Sequence, residues 1–199
     1  MQTIDSKLLS RIYGGGRGSV FTPNDFLDLG GRNAVDKGLS RLVMRGTIRR
    51  LARGLYEYPR GHVELGVLSP DIAKVAKALA GKDRIRLQPA GAYATNLLGL
   101  SEQIPAKVVF LTDGATRTVK VGLQEIQLRR TTPRNMAAAG RLSGLLMQAF
   151  RHLGEPQITP ARVGHLKRTL PAMARRQLLK DLPLAPAWMH PIFRQLAEE

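Results

Sequence analysis

The sequence predicts an α+β protein in two parts: a helical N-terminal part that ends in a β-hairpin, and a longer part that mixes strands and helices. Two features of the 199-residue chain lead to this prediction. Apolar residues recur at helical spacing through most of the chain before residue 46. Strand-like runs then cluster at 47–58 and at 107–130, and helical spacing returns after residue 139.

The first predicted helix carries Leu8, Leu9 and Ile12 on one face, and we expect Asp5 to cap its N-terminus. The glycine-rich run GGGRGS, at 14–19, follows this helix. A phosphate-binding loop would need a preceding strand and a Gly-Lys-Ser/Thr ending, and this run has neither. We therefore predict that the run is a flexible connector.

Two further helices are predicted before the hairpin. Thr22 and Asp25 have the spacing of a capping box, and Pro23 suits the first position of a short helix. The next helix is predicted to start near Arg32 or Asn33 and to end before Gly46. Its apolar residues follow the i, i+4, i+7, i+8 rule and form a core stripe: Val35, Leu39, Leu42 and Val43.

The segments TIRRL and LYEY predict two short strands joined by a turn at 52–54. Three helices followed by such a hairpin are typical of a winged helix-turn-helix, to which we assign residues 1–60. After a linker rich in Gly and Pro, residues 68–199 are assigned to a mixed α/β domain with a small antiparallel sheet and several helices. Within that domain, Asp113 and Gly114 are expected to form the turn of a hairpin.

Net charge is the strongest signal of function in the composition. The chain has 31 Lys and Arg against 15 Asp and Glu, a formal charge of +16, which favours a polyanionic partner such as nucleic acid or an anionic membrane surface. No predicted helix opposes a bulky apolar face to a basic one, so we expect no membrane partner. The absence of Cys excludes disulfides and thiolate metal sites. The first residues lack the apolar segment of a secretory signal, so we expect a cytoplasmic protein.

The third helix and the hairpin form the predicted DNA-binding surface. With the apolar stripe inward, the opposite face of the helix carries amide, hydroxyl and cationic groups suited to base edges and phosphates. The arginines around the hairpin turn would contact the DNA backbone or a minor groove. The predicted DNA-binding residues are Arg32, Asn33, Lys37, Ser40, Arg41, Arg49, Arg50 and Arg53.

Three motifs in this region resemble a known family: Leu39-Ser40-Arg41-Leu42, Gly46-Thr47-Ile48-Arg49-Arg50 and Arg53-Gly54-Leu55-Tyr56. The segment resembles the N-terminal winged helix of AbiEi-type antitoxins from bacterial type IV toxin–antitoxin systems. Residues 89–114 resemble, more loosely, the start of the antitoxin C-terminal domain.

The resemblance implies a bacterial DNA-binding antitoxin. Its winged helix would bind double-stranded DNA at its own promoter and repress the operon. Its C-terminal domain would counter a nucleotidyltransferase-like toxin, with or without direct contact. The alternative is a stand-alone winged-helix transcriptional regulator whose C-terminal domain senses a ligand or dimerises.

Patterns of catalytic and metal-binding residues are weak in this sequence. The four His residues lack the spacing of a zinc site, and there is no Gly-x-Ser-x-Gly elbow. Asp113 with Glu125 and Gln127 approaches the pattern of a metal-dependent nuclease, but Gln127 replaces the required Lys, and this function is kept as a remote alternative. We therefore predict a protein that is not an enzyme, with no catalytic residue, metal or cofactor.

A second basic region lies at 134–180, with nine Lys or Arg and one acidic residue. Arg141 and Arg151 fall outside the apolar stripe of a helix predicted at 139–153, which indicates a solvated face. The last three cations of the region could extend the DNA-binding surface, touch a tRNA-like ligand or meet an acidic toxin: Arg175, Arg176 and Lys180.

Overall fold

The computed structural model describes residues 3–81 and 85–198. These residues form a mixed α+β protein with small sheets, which confirms the predicted class at that level. Contacts divide the chain into two compact units, while the predicted domain limits, 1–60 and 68–199, stay predictions. The units are Met1–Arg84 with Val119–Leu123, and Ile85–Thr118 with Gln124–Glu199.

The first unit begins with the predicted order of helix, short helix, helix and hairpin. The short second helix is a 3₁₀ helix, and the strands β1, β3 and β2 form an antiparallel sheet in that order. The elements are α1 (Ile4–Gly14), β1 (Val20–Phe21), the 3₁₀ helix (Pro23–Phe26), α2 (Arg32–Met44), β2 (Arg49–Ala52), β3 (Leu55–Glu57), β4 (Gly61–His62), β5 (Gly66–Val67) and α3 (Ile72–Ala80).

The cap of α1 is Thr3, so the prediction that Asp5 caps this helix is wrong. The hydroxyl of Thr3 accepts a hydrogen bond from the amide of Ser6 at 3.3 Å. Asp5 lies in the first turn, and its carboxylate accepts hydrogen bonds from Arg41 instead. Because the cap is the residue just before the helix, the extended backbone of Thr3 suits that position and the helical backbone of Asp5 does not.

The core of the first unit determines which face of α2 points outward. Gly38 lets α1 and α2 approach closely, since a Cβ at this position would lie 2.5 Å from Leu8 Cδ1. Each large apolar side chain buried here contributes about 1.5–3 kcal/mol relative to an exposed one. The core residues are Leu8, Ile12, Phe21, Phe26, Val35, Leu39, Leu42, Ile48 and Tyr56.

The glycine-rich run after α1 is held by specific contacts, which the expected flexible connector would not have. The amide of Gly18, at φ 79°, donates to the carbonyl of Tyr58 at 2.5 Å, and the amide of Tyr58 donates to Ser19 at 3.0 Å. These bonds extend the pairing of β1 with β3. The guanidinium of Arg17 lies 4.9 Å from the ring centroid of Tyr58. The predicted linker after the hairpin likewise contains paired strands, β4 and β5.

From residue 85 onward, strands alternate with helices and then give way to helices alone. The elements are β6 (Leu87–Ala90), α4 (Gly91–Leu97), β7 (Lys107–Thr112), β8 (Arg117–Val121), β9 (Gln124–Arg130), α5 (Pro133–Met136), α6 (Leu142–Leu153), α7 (Pro160–Thr169), α8 (Ala172–Lys180) and α9 (His190–Ala197).

The larger sheet is mixed, so the predicted small antiparallel sheet is wrong, as is the hairpin at Asp113 and Gly114. The strand order is β6-β7-β9-β8, with β6 antiparallel and β9 parallel to β7. The cause is burial: β9 contributes Ile126 and Leu128 to the interior, whereas most of β8 is exposed. The strand whose apolar side chains are buried takes the inner place, and the more exposed strand forms an edge.

Helix α6 is the central helix of the second unit. Leu146, Ala149 and Phe150 are fully buried among residues of α7, α8 and α9. At its N-terminus, the buried carboxylate of Asp181 accepts hydrogen bonds from Arg141 at 2.7 Å and from Ser143 at 2.5 Å. Within residues 3–81 and 85–198, every helix is too short or too polar to cross a membrane.

Candidate nucleic-acid interface

The outward face of α2 carries the polar residues that the sequence predicts for it. Asn33, Lys37 and Ser40 are exposed, and Met44 continues the same face with 79% of its surface exposed. The residues on the opposite side, including Val35 and Leu39, are fully buried. A helix buried on one side only is able to enter the major groove with its other side.

Arg32, at the start of α2, is engaged within the protein. Its Nε donates to the carboxylate of Asp36 at 2.9 Å, one helical turn away, and its Nη1 donates to Asn24 Oδ1 at 2.9 Å. Both members of the ion pair are about half exposed, so the pair contributes about 0.3–0.5 kcal/mol. The pair compensates the only acidic charge of α2, and the hydroxyl of Ser40 donates to the carbonyl of Asp36 at 2.9 Å.

Arg41 joins α2 to α1 rather than facing solvent freely. Its Nε and Nη2 donate to the two carboxylate oxygens of Asp5, at 2.9 and 2.5 Å. These hydrogen bonds lower the pKa of Asp5, and partial burial of the carboxylate opposes them. The guanidinium is 40% exposed and the carboxylate 16% exposed, so the pair lies at the edge of the core.

Arg49 is also engaged within the protein. Its Nε donates at 2.5 Å to the carboxylate of Glu57, directly opposite on β3, and its Nη2 donates at 2.6 Å to the carbonyl of Leu68. Glu57 is only 1% exposed. Because a buried carboxylate needs a partner, Arg49 has a structural role in the sheet whatever else it contacts.

Arg50 and Arg53 differ from Arg49 in being exposed. Arg50 donates to the carbonyl of Ala52 at 3.3 Å, a weak contact within its own strand. Arg53 opens the turn between β2 and β3, where Gly54 has a φ of 70°. Among residues 3–81 and 85–198, Arg53, Lys37 and Asn33 have no side-chain hydrogen bond or ion pair. These residues are therefore available to a ligand.

One exposed cation near α2 was missed by the sequence prediction. Arg45 follows the helix and is 60% exposed, with its Nη1 3.8 Å from Asp5. It is placed i+8 from Lys37, so the helical period could have revealed it. We define the α2–hairpin surface as the exposed side chains of these two elements: Asn33, Lys37, Ser40, Arg45, Arg50 and Arg53.

The residues of the nuclease alternative are not brought together. Asp113 accepts hydrogen bonds from the backbone amide and the Nε of Arg86 at 2.9 and 2.8 Å, which lower its pKa, and Glu125 pairs with Lys107 at 3.1 Å. In the parallel register Glu125 lies opposite Lys107 at the start of β7, whereas Asp113 follows its end, about 20 Å away along the strand. No cluster of three or more metal-binding side chains occurs in the described part of the chain.

Several arginines of the basic 134–180 region bind the protein itself. Arg141 pairs with Asp181, Arg162 donates to the carbonyl of Gln157 at 2.5 Å, and Arg175 donates to the carbonyl of Leu196 at 2.9 Å. Arg151 donates to Asn135 at 3.1 Å. Arg141 and Arg151 are exposed, as predicted for a solvated face. The guanidinium groups of this region also connect helices and loops.

Fold and surface define an α+β protein of two units, the first of which carries exposed cations on a helix and a hairpin, with Lys37 and Arg53 unpaired among the described residues. The chain belongs to a protein family of unknown function, DUF6088, whose match spans residues 7–178. No curated protein matches the chain significantly. The matched residues include most of both units.

Proposed function

We propose that the first unit is a winged helix-turn-helix that binds double-stranded DNA, and that the protein is an antitoxin that represses its own toxin–antitoxin operon. In this proposal the 3₁₀ helix and α2 form the helix-turn-helix, α2 is the recognition helix, and the β2–β3 hairpin is the wing. The partners are the protein's own promoter and a nucleotidyltransferase-like toxin.

The connectivity of the first unit supports the winged-helix part. β1 lies between the first two helices, and the hairpin follows α2 directly. β3 lies between β1 and β2 in the sheet, and the turn at Arg53 and Gly54 joins β2 to β3. This is the order expected when a hairpin packs beside a recognition helix.

The observation that carries the proposal is the availability of the α2–hairpin surface. Lys37 and Arg53 have no ion-pair partner within the described residues, and the nearby acids Asp5, Asp36 and Glu57 are each paired with an arginine. Contact of Lys37 or Arg53 with phosphate would therefore break no ion pair among the described residues. A surface with unpaired cations and compensated acids favours a polyanion.

The side chains suggest a division of roles. Asn33, Lys37 and Ser40 would face base edges in the major groove, where an Asn amide pairs with adenine and a Lys ammonium with guanine. Arg50 and Arg53 would contact phosphates, with Arg45 as a further phosphate contact. Arg32, Arg41 and Arg49 would act mainly by holding α2 and the hairpin in place.

The antitoxin part rests on the resemblance of the Leu39–Leu42, Gly46–Arg50 and Arg53–Tyr56 motifs to AbiEi-type antitoxins. A second candidate, a stand-alone winged-helix regulator, is favoured by a polar cavity in the second unit that suits a small ligand. A gene for a nucleotidyltransferase-like protein beside this one would support the antitoxin, and an unrelated neighbour would support the regulator.

A mobility-shift assay with the DNA upstream of the gene tests the DNA-binding part. We expect a specific complex with a Kd of about 10⁻⁸ to 10⁻¹¹ M, and random DNA of the same length should bind at least about 10³-fold more weakly. Equal affinity for both DNAs would contradict sequence-specific binding.

Co-expression tests the antitoxin part separately. The toxin encoded beside this gene should stop growth when expressed alone, and growth should return when this protein is added. A toxin that still stops growth, in cells where this protein represses a promoter reporter, would leave the regulator as the function.

A further inference from the structure

A cavity in the second unit has a lining unlike that of a structural void. It has a volume of about 460 Å³ and lies between the end of β9, α5 and the last turns of α6. Small-molecule sites typically have volumes of about 300–1,000 Å³. The lining residues are Ala90, Gly91, Leu111, Arg129, Thr131, Asn135, Gln148, Arg151 and His152.

The cavity is electropositive. Arg129 and Arg151 are exposed at its wall, His152 adds an imidazole, and the lining contains no carboxylate. Arg151 is oriented by a short chain of contacts: its Nη1 donates to Asn135 Oδ1 at 3.1 Å, and Asn135 Nδ2 donates to Thr131 Oγ1 at 2.9 Å. This anchoring leaves most N–H groups of the guanidinium available for an anion.

Gln148 provides an independent indication of a ligand. Its side chain lines the cavity and the residue is only 9% exposed, yet its amide makes no hydrogen bond with any residue in 3–81 or 85–198. Because the amide is reached by solvent in the cavity, a bound molecule can pair with it directly. The cavity therefore combines two arginines with a preplaced polar group that has no protein partner among the described residues.

We propose that this cavity binds a small organic phosphate of nucleotide size, a phosphate monoester whose dianionic group contacts Arg129 and Arg151. A doubly charged oxyanion matches two forked guanidinium groups, and Gln148 would pair with a polar edge deeper in the cavity. The inference is independent of DNA binding, because the lining residues belong to the second unit alone.

Titration calorimetry of the full-length protein tests the proposal, with AMP, CMP, inorganic phosphate and succinate as probes. We expect at least one nucleoside monophosphate to bind, with inorganic phosphate weaker and succinate weakest. Gln148→Glu keeps the side-chain shape but adds a negative charge, and it should weaken binding by about tenfold or more, as should Arg129→Gln. Arg168→Ala, an exposed arginine on α7 outside the cavity, should bind as the wild type does.

Two further arms remove ambiguity. Lys37→Ala with Arg53→Ala should leave nucleotide binding unchanged, which excludes adsorption to the α2–hairpin surface. Circular dichroism and the unfolding midpoint of Arg129→Gln should match the wild type, so that its loss of binding is not a loss of fold. The proposal is overturned if neither AMP nor CMP binds, or if Arg129→Gln binds them as tightly as the wild type does.

Discussion

The α2–hairpin surface and the basic 134–180 region are both rich in Lys and Arg, but individual cations of the two regions make different contacts. In the 134–180 region, Arg141 binds a buried carboxylate, and Arg162 and Arg175 bind backbone carbonyls. On the α2–hairpin surface, Lys37 and Arg53 bind no other described residue. A cation that already binds a buried carboxylate or a backbone carbonyl has a structural role, so net charge alone does not tell which basic region is a ligand surface.

The same contrast exists between adjacent residues of β2, and it gives the largest expected effect. Arg49→Ala leaves the buried carboxylate of Glu57 without a partner, so we expect it to destabilise the protein by about 3–5 kcal/mol. Arg50→Ala should change stability by less than about 0.5 kcal/mol, because its side chain is exposed. Denaturant unfolding of both variants measures the difference. Equal stability would mean that Arg49 is not structural.

Gly144 tests packing in the second unit. A Cβ there would lie 2.2 Å from the carbonyl oxygen of Ala138 and 2.6 Å from Gln88 Oε1, so Gly144→Ala should cost about 1–3 kcal/mol. Gly164→Ala is the matched control, since its Cβ would approach only the flexible end of Arg168, at 3.5 Å. As a helical glycine, Gly164 should gain about 0.5–1 kcal/mol on this change. Thermal unfolding distinguishes the two variants. An unfolding temperature of Gly144→Ala equal to that of the wild type would contradict the close approach of residue 144 to Ala138.

Asn33 tests whether α2 contacts base edges. If its amide pairs with a base, Asn33→Ala should relax discrimination at one position of the operator by about 1–3 kcal/mol. Lys37, on the same helix face, carries an ammonium in place of the amide, and its variant is compared with Asn33→Ala. Affinities for a set of operators, each with one base changed, measure the effect. A uniform loss across all of these operators would show that Asn33 contacts the backbone.

Arg50→Ala and Arg53→Ala are expected to act alike on every DNA sequence. Each lost phosphate contact should flatten the slope of log K against log salt by about one unit. Arg168→Ala should leave the slope unchanged. Fluorescence anisotropy at several salt concentrations gives the slopes. Wild-type affinity for both hairpin variants at every salt concentration would exclude the hairpin from the interface.

The smallest expected effect is a pH dependence of stability from Asp5. Hydrogen bonds from Arg41 hold the pKa of Asp5 below its ordinary value in the folded protein. The stability that this pair contributes is therefore fully present above about pH 4, the pKa of Asp in the unfolded chain. It is lost as the pH falls through the lower pKa of the folded state. Asp5→Asn should reduce stability at neutral pH and flatten its decline below about pH 4. An unchanged acid limb in unfolding curves would contradict the role of the pair.

The sequence predicted what local signals specify. The start of α2 at Arg32, its buried stripe and its end before Gly46 follow from helical spacing and a glycine with a φ of 70°. The parallel pairing of β7 with β9 has no such signal, because it depends on which strand is better buried. A sequence pattern does not report the neighbours of a strand that are distant in the chain.

The places of the predicted residues on the fold were predictable, but several of their contacts were not. All eight predicted residues lie on α2 or β2, or in the turn after β2, and six of them are exposed, yet the partners of Arg41 and Arg49 were not foreseen. The register that pairs Arg49 with Glu57 could have been inferred from the predicted turn. The burial of Glu57 and the contact of Arg49 with Leu68 depend on tertiary packing. The cavity around Gln148 assembles residues from several elements and has no sequence motif.

One binding experiment tests the central claim that the exposed cations of α2 and the hairpin form the DNA-binding surface. The protein carrying Lys37→Ala and Arg53→Ala is compared, on its own promoter DNA, with one carrying Arg168→Ala and Arg194→Ala, which removes the same charge from exposed positions of the second unit. We predict that the first pair weakens binding by at least about tenfold at physiological salt and that the second pair does not. Equal losses for the two pairs would contradict the claim, because binding would then follow net charge alone.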